Sequence, residues 1–131
     1  MASVFHGRRI LVVEDEPLLT FLLEDALMIA GAQAVVQAAR VAEALSAITK
    51  AMFEGGIDAA VIDYSLADGQ SAFPVADRLA ELRVPFVFAT GYDASALNKG
   101  QHVHAPVISK PYDPEEVVAC LARIMPRVTA E

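Results

Sequence analysis

A chain of 131 residues suffices for one domain with a substantial core, and a 55% hydrophobic content excludes a disordered polymer. Ten Lys and Arg against seventeen Asp and Glu give a formal charge of −7, which argues against nucleic acid as a partner. The single cysteine leaves no internal disulfide and suits a reducing cytoplasm.

Residues 1–7 lack the basic start and apolar run of a signal peptide. An apolar run at 10–13 predicts a buried strand, and a helix follows over roughly 17–30. That helix carries Leu18, Leu19, Phe21, Leu22, Leu23, Leu27 and Ile29, more apolar side chains than one buried stripe requires. The surplus is either scattered surface leucine or a docking surface. Thr20, Glu24 and Asp25 interrupt the stretch, which is too short to cross a bilayer, so no membrane partner is expected. A second strand is read at 34–36, then a helix in which Val41, Leu45, Ile48 and Met52 recur at three- and four-residue steps. A third strand spans 57–62, and Asp68-Gly69 turns the chain toward a third helix. The fourth strand is read at 86–89. After it, residues 93–105 are polar, contain Gly100 and predict only a short or mobile helix. His102 and His104 alternate in this polar loop without a third ligand, so no metal role is assigned to them. A fifth strand at 107–108 precedes Asp113-Pro114-Glu115-Glu116, which combines an N-cap, a proline in the first turn and a capping-box glutamate. Val117, Leu121 and Ile124 give that last helix its apolar face, Cys120 lies on the core side, and Pro126 ends it.

Alternation of short strands and helices calls for a parallel α/β sheet covered on both faces, and five strands fit the flavodoxin-like, doubly wound order 2-1-3-4-5. In such sheets ligands gather at the carboxyl ends of the strands. There the chain places Glu14-Asp15-Glu16 after the first strand, Asp63 after the third, Thr90 after the fourth and Lys110 after the fifth. Like charges about 4 Å apart repel by roughly 4 kcal/mol at an effective dielectric of about 20, so the carboxylates call for a cation. Oxygen-only ligands favour a hard ion, Mg²⁺ before a transition metal. An acidic nucleophile beside such an ion, with a lysine and a hydroxyl placed for phosphoryl oxygens, describes a phosphoryl-transfer site.

Four stretches in order, ILVVEDE at 10–16, VIDYSLADG at 61–69, Thr90, and Lys110-Pro111, make the chain resemble a bacterial response-regulator receiver over nearly its whole length. PFVFATGY at 85–92 resembles more narrowly the FATGUY subgroup, mostly stand-alone receivers working with histidine kinases of alphaproteobacterial signalling. The resemblance implies a CheY-like fold in which Asp63 accepts a phosphoryl group from phosphohistidine. Asp15 would be a direct Mg²⁺ ligand, Glu14 a ligand directly or through water, and the Ser65 backbone carbonyl a further one. Thr90 would hydrogen-bond the phosphoryl group, Lys110 would pair with it, and the Lys110-Pro111 peptide would be cis. A histidine kinase or histidine phosphotransfer protein would dock on the first helix, around Leu18, Phe21 and Leu22. Two positions depart from the family pattern: Val107 stands where many receivers carry an aromatic switch residue, and Glu14 stands where aspartate is commoner. With no aromatic at Val107, Tyr92 becomes the candidate moving part.

The chain is thus expected to be one domain over residues 1–131, with a core at about 8–126 and no output domain. It would then signal through protein contacts or serve as a phosphate sink, without steady turnover. Two other functions stay open. A receiver-shaped binding module would work without phosphorylation, and an aspartate-nucleophile phosphatase would need an acid/base aspartate where this chain has Ser65.

Overall fold

The apolar runs become parallel strands, and all but the first extend past their apolar residues toward the carboxyl end. In the computed structural model, which describes residues 5–66, 69–91 and 97–126, these are β1 (Arg9–Val13), β2 (Ala34–Ala38), β3 (Ala59–Asp63), β4 (Phe86–Thr90) and β5 (Val107–Ser109). They form one sheet in the order β2-β1-β3-β4-β5, every pair parallel. β3 begins at Ala59, later than the apolar run from Ile57 implies, and takes in Asp63 as its last residue. Backbone bonds carry the ladder beyond the strands: Glu14 N–H donates to the Ala38 carbonyl at 3.0 Å, Tyr64 to Ala89 at 2.8 Å and Lys110 to Thr90 at 2.7 Å. The polar strand ends are therefore held in one register.

The period of two along each strand divides the apolar residues between two cores. Ile10, Val12, Val61, Val87 and Ala89 face one way and meet α1 (Pro17–Ile29) and the C-terminal helix α4 (Pro114–Ile124) through Leu23, Leu27, Val117 and Leu121. Leu11, Val13, Ala60, Ile62 and Phe88 face the other way and meet α2 (Val41–Ala51) and α3 (Phe73–Glu81) through Ile48, Val75 and Leu79. Burying one such large side chain contributes about 1.5–3 kcal/mol, against about 1 kcal/mol net for a hydrogen bond, so these two layers dominate stability. Leu121 is fully buried, and Leu121→Ala is expected to lower the unfolding free energy by about 2–5 kcal/mol in a urea titration. A loss below about 1 kcal/mol would mean that α4 contributes little to the core.

The capping box read at the start of α4 is present. The Asp113 carboxylate accepts the Glu115 N–H at 3.0 Å, and the Glu116 carboxylate accepts the Asp113 N–H at 3.1 Å. α1 buries only Leu23 and Leu27, leaving Leu18 (68% exposed), Phe21 (62%) and Ile29 (78%) in solvent. No helix among the described residues is long and apolar enough to cross a membrane.

After β4 the structure describes residues 97–106, which form successive turns; residues 93–96 of the expected short helix lie outside the described residues. The Asn98 side chain accepts the Gly100 N–H at 2.9 Å, and Gly100 takes a positive φ of 56°. The Lys99 ammonium then donates to the carbonyls of Val103 (2.9 Å) and Ala105 (3.0 Å). These local bonds satisfy the backbone in a non-helical way. His102, read as part of a polar loop, is buried instead. It packs against Phe86 at 5.3 Å between ring centroids and meets the Asp77 carboxylate of α3 at 2.7 Å. Tyr92 lies outside the described residues.

Candidate functional site

At the carboxyl edge of the sheet, β1, β3 and β5 bring their terminal side chains together. Glu14, Asp15 and Asp63 each offer a carboxylate oxygen, and the three oxygens lie within 4.8 Å of one another. Glu14 (4% exposed) and Asp63 (5%) are buried, as is Thr90 at the end of β4. Lys110 reaches in from the end of β5, its Nζ 3.0 Å from Glu14 Oε1 and 3.0 Å from Asp63 Oδ2. Glu16 stands further off, at 4.0 Å. The remaining oxygens have their own donors: the Glu16 N–H reaches Glu14 Oε2 at 3.1 Å, and the Ser65 N–H reaches Asp63 Oδ1 at 3.1 Å. The peptide between Lys110 and Pro111 is cis.

Two buried carboxylates and one ammonium leave the site short of positive charge. Burial, with the neighbouring Asp63 charge second, pushes the Glu14 carboxyl up to about 7, outweighing its bonds to Lys110 and the Glu16 amide. Burial pulls the Lys110 ammonium down, but its bonds to Asp63 and Glu14 more than offset this, and its pKa is raised overall. The lysine is thus the internal counter-ion of the cluster. An incoming divalent cation would relieve the same repulsion, and an all-oxygen donor set with an exposed side suits a hard ion.

Around the cluster, an open cleft of about 390 Å³ runs from Glu14 and Asp15 past Thr20, Phe21 and Glu24 of α1 to Gln37 and Glu43. On the other side Tyr64, next to Asp63 in sequence, stacks edge-on with Phe73 and Phe88, and its hydroxyl donates to the Asn98 carbonyl at 2.5 Å. Neither this contact nor the burial of His102 left a periodic signal in the sequence. The convergence of Glu14, Asp15, Asp63, Thr90 and Lys110 did.

No protein-family model matches the chain. It is 32% identical over 117 residues to the phyllosphere-induced regulator PhyR of Methylorubrum extorquens, covering 88% of this chain and 43% of that protein. The chain therefore spans less than half the length of that curated relative. Among solved structures it resembles SdrG from Sphingomonas melonis, with 36% identity, a TM-score of 0.65, and coverage of 92% of this chain and 98% of that one. It also resembles the PhyR response-regulator REC domain of Erythrobacter litoralis, with 25% identity, a TM-score of 0.75, and coverage of 96% and 98%. The chain belongs to the response-regulator receiver family. A receiver domain implies a divalent-metal site, and the acidic cluster at the strand ends matches that requirement in donor type and spacing.

Proposed function

We propose that this receiver accepts a phosphoryl group on Asp63, with Mg²⁺ held by Glu14, Asp15, Asp63 and the Ser65 backbone carbonyl. The observation that carries the reading is the contact of Asp63 with Lys110 at 3.0 Å inside a cluster whose carboxylates outnumber its single ammonium. An Asp63 oxygen forms the new O–P bond while the N–P bond of a phosphohistidine donor breaks, its electron pair leaving with the imidazole. Lys110 pairs with the transferred oxygens, and the buried Thr90 hydroxyl hydrogen-bonds them. The bound Mg²⁺ would offset charge on the phosphoryl oxygens. The product is a phosphorylated signalling protein, a role distinct from steady hydrolysis.

The partner is a histidine kinase or phosphotransfer protein seated on α1, where Leu18, Phe21 and Leu22 are exposed beside the acidic cleft. The PFVFATGY stretch and Val107 support placement in the FATGUY subgroup. Phosphorylation then acts on the segment after β4, with Tyr92 the sequence-based candidate and the Tyr64 bond to Asn98 a second link from Asp63 to that segment.

Incubation with acetyl phosphate and Mg²⁺ is expected to add one phosphoryl mass; no adduct at any Mg²⁺ concentration would leave a binding module of receiver shape. Mg²⁺ binding should be weak, because an open site leaves several waters on the ion. Asp15→Asn is expected to weaken it more than Glu14→Gln, as read by titration calorimetry. Equal and negligible effects would move the metal elsewhere.

A further inference from the structure

His102 takes no part in the chemistry above, yet its surroundings are built. Its ring is buried against Phe86, Phe73 and Phe88, at 5.3, 6.4 and 6.4 Å between ring centroids. In such an apolar shell an imidazole needs a hydrogen-bond partner, where a phenylalanine would need none. Asp77 of α3 supplies it: its Oδ1 lies 2.7 Å from His102 Nε2 and 2.9 Å from Gln101 Nε2. These bonds, that of His102 first, hold the Asp77 carboxyl below the usual carboxylate range. The carboxylate is therefore ionised and only accepts, and both side chains donate to it.

The other end of the same segment is fastened beside the phosphoacceptor. Tyr64 follows Asp63 directly, and its N–H donates to the carbonyl of Ala89, next to Thr90, at 2.8 Å. Its hydroxyl donates to the Asn98 carbonyl at 2.5 Å. Between the two fastenings the chain is braced from within. The Asn98 side chain holds the Gly100 N–H, the Lys99 ammonium holds the carbonyls of Val103 and Ala105, and the His102 N–H donates to the Lys99 carbonyl at 2.9 Å. A stretch braced in this way moves as a unit, so a displacement at Asn98 is felt at Gln101 and His102. Phe73, the first residue of α3, packs against both ends, at 5.9 Å from the Tyr64 ring and 6.4 Å from the His102 ring.

We propose that residues 98–105 form a strap that passes the phosphorylation state of Asp63 to α3, entering through the Tyr64 hydroxyl and leaving through the bond of His102 to Asp77. This role rests on the receiver chemistry proposed above and gives it a destination. A phosphoryl group adds negative charge and acceptor oxygens at Asp63. The groups that adjust to it, Asp63 and Thr90, are joined to Tyr64 through the backbone, so Tyr64 is displaced first and Asn98 with it. The exposed side of α3 around Asp77 then belongs to the surface that differs between the two states.

The test records backbone amide spectra of the full chain in Mg²⁺, with and without beryllofluoride as phosphoryl mimic, for wild type, Tyr64→Phe, Asp77→Ala and Asp77→Asn. The Ser65 amide, which donates to Asp63, reports that the mimic is bound. In the wild type the mimic is expected to shift Ser65, residues 98–105, and Ala76 and Arg78 of α3. The Asp77 side chain is 51% exposed, so Asp77→Ala leaves the buried face of α3 intact. In that variant the strap should still respond, while the α3 shifts shrink at least about twofold. Asp77→Asn keeps an oxygen that can accept from His102 and should restore them. Tyr64→Phe keeps the ring but loses the bond to Asn98, so strap and α3 shifts should both shrink while Ser65 still responds. Undiminished α3 shifts in Asp77→Ala, an equal loss in Asp77→Asn, or undiminished strap shifts in Tyr64→Phe would overturn the role. A wild-type chain whose Ser65 amide ignores the mimic would bring down the receiver chemistry and the strap together. A Ser65 response with none in α3 brings down the strap alone.

Discussion

Asp63→Asn will take up no phosphoryl group from acetyl phosphate or from a phosphorylated histidine kinase, where the wild-type chain gains one. The amide keeps the shape of the side chain and can still accept the Ser65 N–H, which reaches Asp63 Oδ1 at 3.1 Å. It has no anionic oxygen to attack phosphorus, so the loss is one of chemistry and not of folding. A second effect follows from the same change. The Asp63 charge is the second cause, after burial, that raises the Glu14 carboxyl. Removing it lowers the pKa of Glu14 and lets Lys110 serve a single carboxylate. Asp63→Asn is therefore expected to be at least as stable as the wild type without metal, while binding Mg²⁺ more weakly. Mass spectrometry of the intact chain and a urea titration read the two effects. Undiminished labelling of the variant would remove Asp63 as the phosphoacceptor.

The parts of this site that were legible in the sequence share one property: each lies at the end of an apolar run. Val13 gives way to Glu14, Ile62 to Asp63, Ala89 to Thr90, and Ile108, after one serine, to Lys110, and the parallel topology converts four distant positions into one edge. The sheet order was legible for the same reason, because alternating strands and helices admit few arrangements. What was not legible depends on contacts between residues far apart that leave no period. His102 lies in a polar stretch, yet its ring fills space beside Phe86 and Phe88 and bonds to Asp77 in α3. The turns over residues 97–106 follow from the Lys99 and Asn98 side chains bonding to the local backbone, which composition only hinted at through Gly100.

The metal-free chain is expected to lose stability as pH rises from about 4.5 to about 7, and Mg²⁺ should restore it. The Glu14 carboxyl stands at about 7 in the folded chain against 4.5 as its ordinary value. Between those limits the folded form holds a proton that the unfolded form has released, so raising the pH favours unfolding. The contribution is complete below about 4.5 and gone above about 7. At about 1.4 kcal/mol per pKa unit the full effect is roughly 3 kcal/mol, and sharing of Lys110 with Asp63 places the expected loss at roughly 1–3 kcal/mol. Lys110, its pKa raised, keeps its charge throughout. Asp77, held below the usual carboxylate range by its bond to His102, titrates at lower pH and does not mask the slope. Metal binding requires the ionised carboxylate, so Mg²⁺ affinity should fall as pH drops below about 7. Above it, Mg²⁺ at about a hundredfold over its Kd should stabilise the fold by about 2.7 kcal/mol. Urea titrations across pH, with and without Mg²⁺, measure both arms. Glu14→Gln removes the titrating group and should flatten the metal-free slope. An equal slope in wild type and Glu14→Gln would mean that Glu14 stays ionised in the folded chain at low pH, with Lys110 alone sufficient to hold its charge.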